Sequence, residues 1–247
     1  VRIGAHVESL TMDPRDDRRV YFTGRLSSSF GWANLETGEL LLASDVLVWP
    51  VSPTWLDARL YVLDELVGTI AELDPDTLAV LRTFDSGLGP NPTLTLSDLV
   101  ADADRGWLYV NNGGTGEVAA IDAASGGVLN TWTLFDATLD GDTPGRAELL
   151  VAGDGVVGLR NSDGALRRLD PSNGEVTSAQ ADDRSTHFVI RGHAMDTLAL
   201  SEDGARAWSG PWAFDPVSLE SVILLDADVQ VLADEGEGGL LAWAAEP

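Results

Sequence analysis

The stretch from Arg105 to Leu129, "RGWLYVNNGGTGEVAAIDAASGGVL", sets the hydrophobic pattern of the whole chain. Short apolar runs rich in β-branched and aromatic residues are broken by glycine-rich or acidic turns. Such units predict strands rather than helices, because they are too short for a helical stripe and end on turn-forming residues. Asp163-Gly164 and Asn173-Gly174 are dipeptides of the kind that supply the positive backbone dihedrals of tight hairpins. The pattern around Leu108 to Val110 and Val118 to Ile121 predicts that alternate residues face apolar cores while the turn acids stay wet.

The same phrase recurs. "RRVYFTGRLSSSFGWANLETGELL", "RLYVLDELVGTIAELDPDTLAVL", "GVVGLRNSDGALRRLDPSNGEV" and "ARAWSGPWAFDPVSLESVILL" each place an apolar residue before an acid and a turn. The pairs are Leu35-Glu36, Leu73-Asp74, Ile121-Asp122, Leu169-Asp170 and Phe214-Asp215, with the acids 38, 48, 48 and 45 residues apart. That period is the size of one four-stranded propeller blade. A side chain at this position can cap its turn by hydrogen bonding, which explains the recurrence without catalysis.

In "LALSEDGARAW", "LYVNN" and "VAAIDAASGGVL" the chain resembles the YVTN-type β-propeller repeats of surface-layer and other extracytoplasmic proteins. The resemblance covers nearly the whole chain and implies an all-β fold, a β-propeller. Five full repeats and a sixth shared between the N- and C-termini give six blades, with five or seven as alternatives. "VRIGAHVESLTMDPRDDRRVYF" supplies an outer strand at Val1 to Gly4, and "ADVQVLADEGEGGLLAW" the first two strands of a closing blade. The sixth acid would fall at about position 260 by the repeat period. Residues 1–247 are therefore expected to form one propeller domain, either with an abbreviated blade or as part of a longer chain.

Charge narrows the function. The net charge is −25, and all fifteen basic residues are arginine. Nucleic-acid partners are disfavoured, since phosphate recognition needs cationic neutralisation, and an anionic membrane surface is disfavoured likewise. No apolar run reaches the length of a spanning helix, so membrane insertion is not expected. An acidic surface serves solubility or high-salt adaptation, or else meets a cationic partner. The absence of cysteine removes disulfides, thiolate catalysis and cysteine-ligated metals.

Propellers place ligands over the central channel, where the loops entering each inner strand converge. Here those loops are "AHVES", "SPTW", "NPTL", "GRAEL" and "GHAMD", carrying His6, Glu8, Thr54, Asn91, Thr93, Arg146, Glu148, His193 and Asp196. A histidine beside a carboxylate can act as general base and an arginine can hold an oxyanion, which makes His193, Glu148 and Arg146 the catalytic candidates. The same residues can instead satisfy strand ends and channel waters. Lactone-hydrolysing propellers are the natural enzyme comparison, and the resemblance implies a glutamate, asparagine and aspartate metal set beside an asparagine-glycine. This chain departs from that pattern, with Asp196-Thr197 at the corresponding place. Asp136, Asp140 and Asp142 in "FDATLDGDTPGR" offer oxygen ligands to calcium without the alternation of an EF-hand loop. The eight tryptophans are spread along the chain as packing residues would be.

The leading expectation is a non-enzymatic, extracytoplasmic propeller without a cofactor. It would act as a binding or structural module that meets a protein partner or neighbouring domains of a surface assembly. The alternative is a lactonase-like hydrolase acting at the channel mouth.

Overall fold

In the computed structural model the repeats are antiparallel sheets. The structure describes residues 7, 9–44, 46–91, 97–135, 147–160, 165–178, 198–201, 204–209, 212–224, 229–234 and 240–244. The chain divides into two compact units, residues 1–133 and 134–247.

The first unit holds three four-stranded sheets, each a meander of sequence neighbours. Sheet 1 is β1 (Ser9–Asp13), β2 (Asp16–Gly24), β3 (Ser29–Asn34) and β4 (Leu40–Ser44). Sheet 2 is β5 (Pro50–Leu56), β6 (Arg59–Asp64), β7 (Thr69–Leu73) and β8 (Val80–Asp85). Sheet 3 is β9 (Leu99–Asp102), β10 (Trp107–Asn112), β11 (Glu117–Asp122) and β12 (Gly127–Thr133). The first strands β1, β5 and β9 stand side by side in succession.

Alternation along each strand sends side chains to two different cores. Leu60 and Val62 of β6 pack with Tyr21, Phe30 and Trp32 of sheet 1. Tyr61 and Leu63 pack with Leu108, Val110, Ala119 and Ile121 of sheet 3. The expected alternate residues thus do face a core between sheets. Tyr109, Val118 and Ala120 between them are buried as well, so the middle strands carry no wet face. Each such aliphatic side chain contributes about 1.5–3 kcal/mol of burial.

The turn acids behave as capping residues, with one correction. Asp74 Oδ1 accepts the amides of Asp76 and Thr77 at 3.0 and 2.8 Å. Asp122 does the same for Ala124 and Ser125, Asp170 for Ser172, and Asp215 for Val217 and Ser218. In sheet 1 the position belongs to Asn34, not Glu36: Asn34 Oδ1 accepts the amides of Glu36 and Thr37. Only a side-chain oxygen one methylene from the backbone reaches back over this turn, and Glu36 lies within the turn itself. The residue four places on is left-handed in all five turns, at Gly38, Leu78, Gly126, Gly174 and Leu219.

Charged and phenolic side chains fasten sheet 1 to sheet 2 at these turns. The Tyr21 hydroxyl lies 2.9 Å from the Pro75 carbonyl oxygen and 3.1 Å from Asp13 Oδ2. Arg15 chelates Asp13 and reaches Asp76, which Arg19 also contacts at 2.7 Å. Between sheets 2 and 3 the fastener is Arg82, which donates to the carbonyls of Ala123 and Ala124 while pairing with Glu72.

The second unit contains sheet 4, with β13 (Ala147–Ala152), β14 (Gly155–Arg160), β15 (Ala165–Asp170) and β16 (Glu175–Ser178). Sheet 5 is β17 (Leu198–Leu200), β18 (Ala207–Ser209), β19 (Trp212–Phe214) and β20 (Ser221–Leu224). A two-stranded sheet of β21 (Val229–Asp234) and β22 (Leu240–Ala244) follows, the strand pair expected near the C-terminus. β13, β17 and β21 again stand in succession, over a core of Ala152, Val157, Ala207, Phe214 and Leu219. The proposed outer strand Val1 to Gly4 lies outside the described residues.

Candidate functional site at the loop ends of the sheets

The connections from second to third strands, and from each fourth strand to the next sheet, lie at the sheet ends opposite the capped turns. In the first unit these loops enclose a buried polar cluster. Its positions follow from the repeat: "YFTGR", "YVLDE" and "YVNNG" align Tyr21, Tyr61 and Tyr109, and four residues later Arg25, Glu65 and Gly113. A cation, an anion and a bare amide therefore occupy the same place in three successive sheets.

Arg25 begins a short 3-10 turn after β2, and its Nε lies 2.9 Å from Glu65 Oε2. The Trp49 ring covers the guanidinium, 4.6 Å from its carbon. Glu65 Oε1 accepts the Asn91 side-chain amide at 2.9 Å and the Ser97 backbone amide at 2.7 Å. Ser97 Oγ accepts from Asn91 Nδ2 and from the Gly113 amide at 3.1 and 3.2 Å. One carboxylate thus joins all three sheets of the unit. Glu65 and Arg25 are 1% and 3% exposed, and Asn91 is 2% exposed. Burial pushes the Glu65 carboxyl above its ordinary value, against the opposing pull of Arg25, Ser97 and Asn91.

Beside it, the Asp64 carboxylate accepts the amides of Val48 and Trp49 at 2.8 and 3.1 Å, pinning the connection into sheet 2. Gly68 closes the β6–β7 turn at φ +77°, where an added Cβ would come within 2.4 Å of the Gly89 backbone. Only glycine admits that approach.

Three of the sequence candidates for binding fall among the described residues: Asn91, Glu148 and Thr54. Asn91 sits in the cluster above. Glu148, in the second unit, is 8% exposed near the start of β13 and accepts the Leu198 amide at 3.0 Å, joining β13 to the head of β17. His6, Glu8, Thr93, Arg146, His193 and Asp196, and the calcium candidates Asp136, Asp140 and Asp142, lie outside the described residues. Thr54 requires a correction: "SPTW" is not a loop but the interior of β5, paired with Tyr61 across a bulge that holds Ser52 at φ +47°. Proline in a first strand is tolerated at such a bulge, which is why the segment reads as a loop. Arg25, Glu65 and Ser97 lie outside the loop segments, such as "NPTL", that the sequence pattern places at the entries of the inner strands. The signal that finds Arg25 and Glu65 is opposite charge at one repeat position, a signal that the uncharged Ser97 does not carry.

Among the described residues no group of three or more histidine, aspartate or glutamate side chains could hold a metal, and no helix is long and apolar enough to cross a membrane.

No protein-family model matches the chain, and no curated protein does. Solved structures do. Hydrazine synthase of Kuenenia stuttgartiensis superposes with a TM-score of 0.58 at 14% identity, over 87% of this chain and 59% of that one. BamB from Moraxella catarrhalis gives 0.54 at 13% identity, over 96% of this chain and 67% of that one. The RRP9 WD40 repeats give 0.62 at 13% identity, over 89% and 63%. The fold is a β-propeller. The propeller's sheets are its blades, and this chain spans less than two thirds of the hydrazine synthase and RRP9 chains.

Proposed function

We propose that the chain is a non-enzymatic binding or structural module, an extracytoplasmic propeller of the YVTN type within a larger surface assembly. Residues 1–247 act in this reading as one domain that meets a protein partner or neighbouring domains, without a cofactor. The observation that carries the proposal is the use of the buried charges at the loop ends. Glu65 is engaged on both carboxylate oxygens by groups from sheet 1 and from the connection into sheet 3. A general base needs contact with substrate; this carboxylate is withdrawn from the surface, with the protein's own Arg25, Asn91 and Ser97 around it. The lopsided charge of −25 adds a solvated, cation-attracting surface suited to an assembly.

A turnover screen on lactones, with and without calcium, tests the proposal. No turnover above the uncatalysed rate is expected. Robust hydrolysis that disappears in His193→Ala would replace it with the lactonase reading, and calcium-dependent hydrolysis would add a metal ion to that reading.

A further inference from the structure

The outer strands of the sheets differ in how they protect their open edges. Exposed edges are normally blunted by charge, proline or brevity. β8 carries Arg82 and Asp85, β16 carries Glu175, and β4 is a five-residue strand flanked by Glu39 and Asp45. β12, "GVLNTWT", is seven residues long, and the nearest charges along the chain are Asp122 and Asp136. It ends its sheet, pairing with β11 on one side and with no described strand on the other.

The register shows where the edge is flat. Ala120 pairs with Asn130 and Ile121 with Val128, so Leu129 is the bulged residue and Asn130 to Thr133 pair regularly with β11. The Thr131 amide donates to its neighbour's side chain, Asn130 Oδ1, at 2.9 Å. That donor therefore points away from the β11 ladder, capped by the Asn130 side chain, which an incoming strand would displace. Trp132 is half-buried beside it, and Asn130, Thr131 and Thr133 are exposed. At the end of this stretch Glu117, the cross-strand partner of Thr133, has no cationic partner among the described residues.

We propose that the Asn130–Thr133 edge of β12 receives an extended segment of a partner protein by strand addition, with a basic residue of that segment meeting Glu117. This rests on the module reading above and names the class of partner. A second copy of the chain is the disfavoured occupant, since two bodies of charge −25 repel.

The probe is an acetylated, amidated peptide, Arg-Thr-Val-Thr-Val-Thr-Arg, titrated calorimetrically into the whole chain at low salt. Binding is expected, with new amide protection in hydrogen exchange confined to residues 127–133. Thr131→Pro, which removes the outward donor and no β11 bond, should weaken binding by about tenfold or more at unchanged Tm, and so should exchanging the peptide's arginines for glutamates. Protection elsewhere, or equal affinity for both peptides, overturns the proposal whether or not the proline variant folds. Self-association of the native chain that Thr131→Pro abolishes would overturn it in favour of a second copy. Absence of peptide binding overturns the edge proposal and leaves the module reading standing, whereas lactone turnover overturns that reading without touching the edge.

Discussion

The two ends of the sheets in residues 1–133 use carboxylates in opposite ways. At the turn end Asp74 and Asp122 sit at the surface and receive backbone amides, which hold their carboxyls below the ordinary value of 3.8. At the loop end Glu65 is withdrawn from water, and burial lifts it above its ordinary 4.5. The sign of proton linkage follows. Asp74 and Asp122 contribute stability that is present above their unfolded value and lost as pH falls through their lowered values. Glu65 contributes stability that is complete below about pH 4.5 and lost as pH rises through its raised value. Local hydrogen bonding stabilises an exposed anion, while burial taxes even a paired one.

Mutations can break or sharpen this contrast. The reference for a charge with no compensation is Ile121→Asp, in the core between sheets 2 and 3. It forfeits apolar burial and buries an unpaired carboxylate, and denaturant unfolding should show a loss of more than about 4 kcal/mol. At the loop end, Arg25→Met leaves the Glu65 carboxylate buried without its counter-charge. A loss of about 3–5 kcal/mol is expected at pH 7.5. The loss should shrink at pH 5 because Glu65 can then take up a proton, and the doubly substituted Arg25→Met, Glu65→Gln chain should recover most of it by keeping the bonds from Asn91 and Ser97. A pH-independent loss would show that Arg25 acts through its packing on Trp49 instead.

A smaller effect separates two repeat-equivalent tyrosines. Burial raises both phenols to about 12. Tyr21 bonds across to Pro75, whereas the Tyr109 hydroxyl finds no acceptor among the described residues. Tyr21→Phe should cost about 1 kcal/mol, and Tyr109→Phe should be neutral or stabilising, since it removes a buried unsatisfied hydroxyl. Matching losses from the two substitutions would refute this distinction. The smallest effect belongs to the turn end. Asp122→Asn keeps the capping oxygen and should leave Tm nearly unchanged at pH 7, while its acid unfolding profile below pH 4 becomes shallower than that of the native chain.

Much of the architecture is legible in the residues. The repeat after each third strand marks the turn, and its period marks the sheet, because one backbone geometry needs the same short acceptor each time. Asn34 escapes that reading because an amide caps as well as an acid, so a search for carboxylates slides two residues to Glu36. Thr54 escapes it because a bulge lets proline and a left-handed serine sit inside a strand. Among the candidate site residues, Asn91 is found by its loop, yet its partners are not: Ser97 lies six residues further along the same connection, beyond "NPTL", and Glu65 lies in the β6–β7 turn.

The sequence alone therefore determined the strand pattern, the capped turns and the sheet-sized repeat, all of which depend on interactions within a few residues or across one hairpin. Only the tertiary structure decided which faces are dry and which charges meet. Tyr109 and Val118 read as alternating positions and are both buried because neighbours cover both sides of their sheet. Arg25 and Glu65 stand 40 residues apart in the chain and 2.9 Å apart in space. Their pairing exists because stacking the sheets brings equivalent loop positions together, and burial there makes the partner of each charge matter.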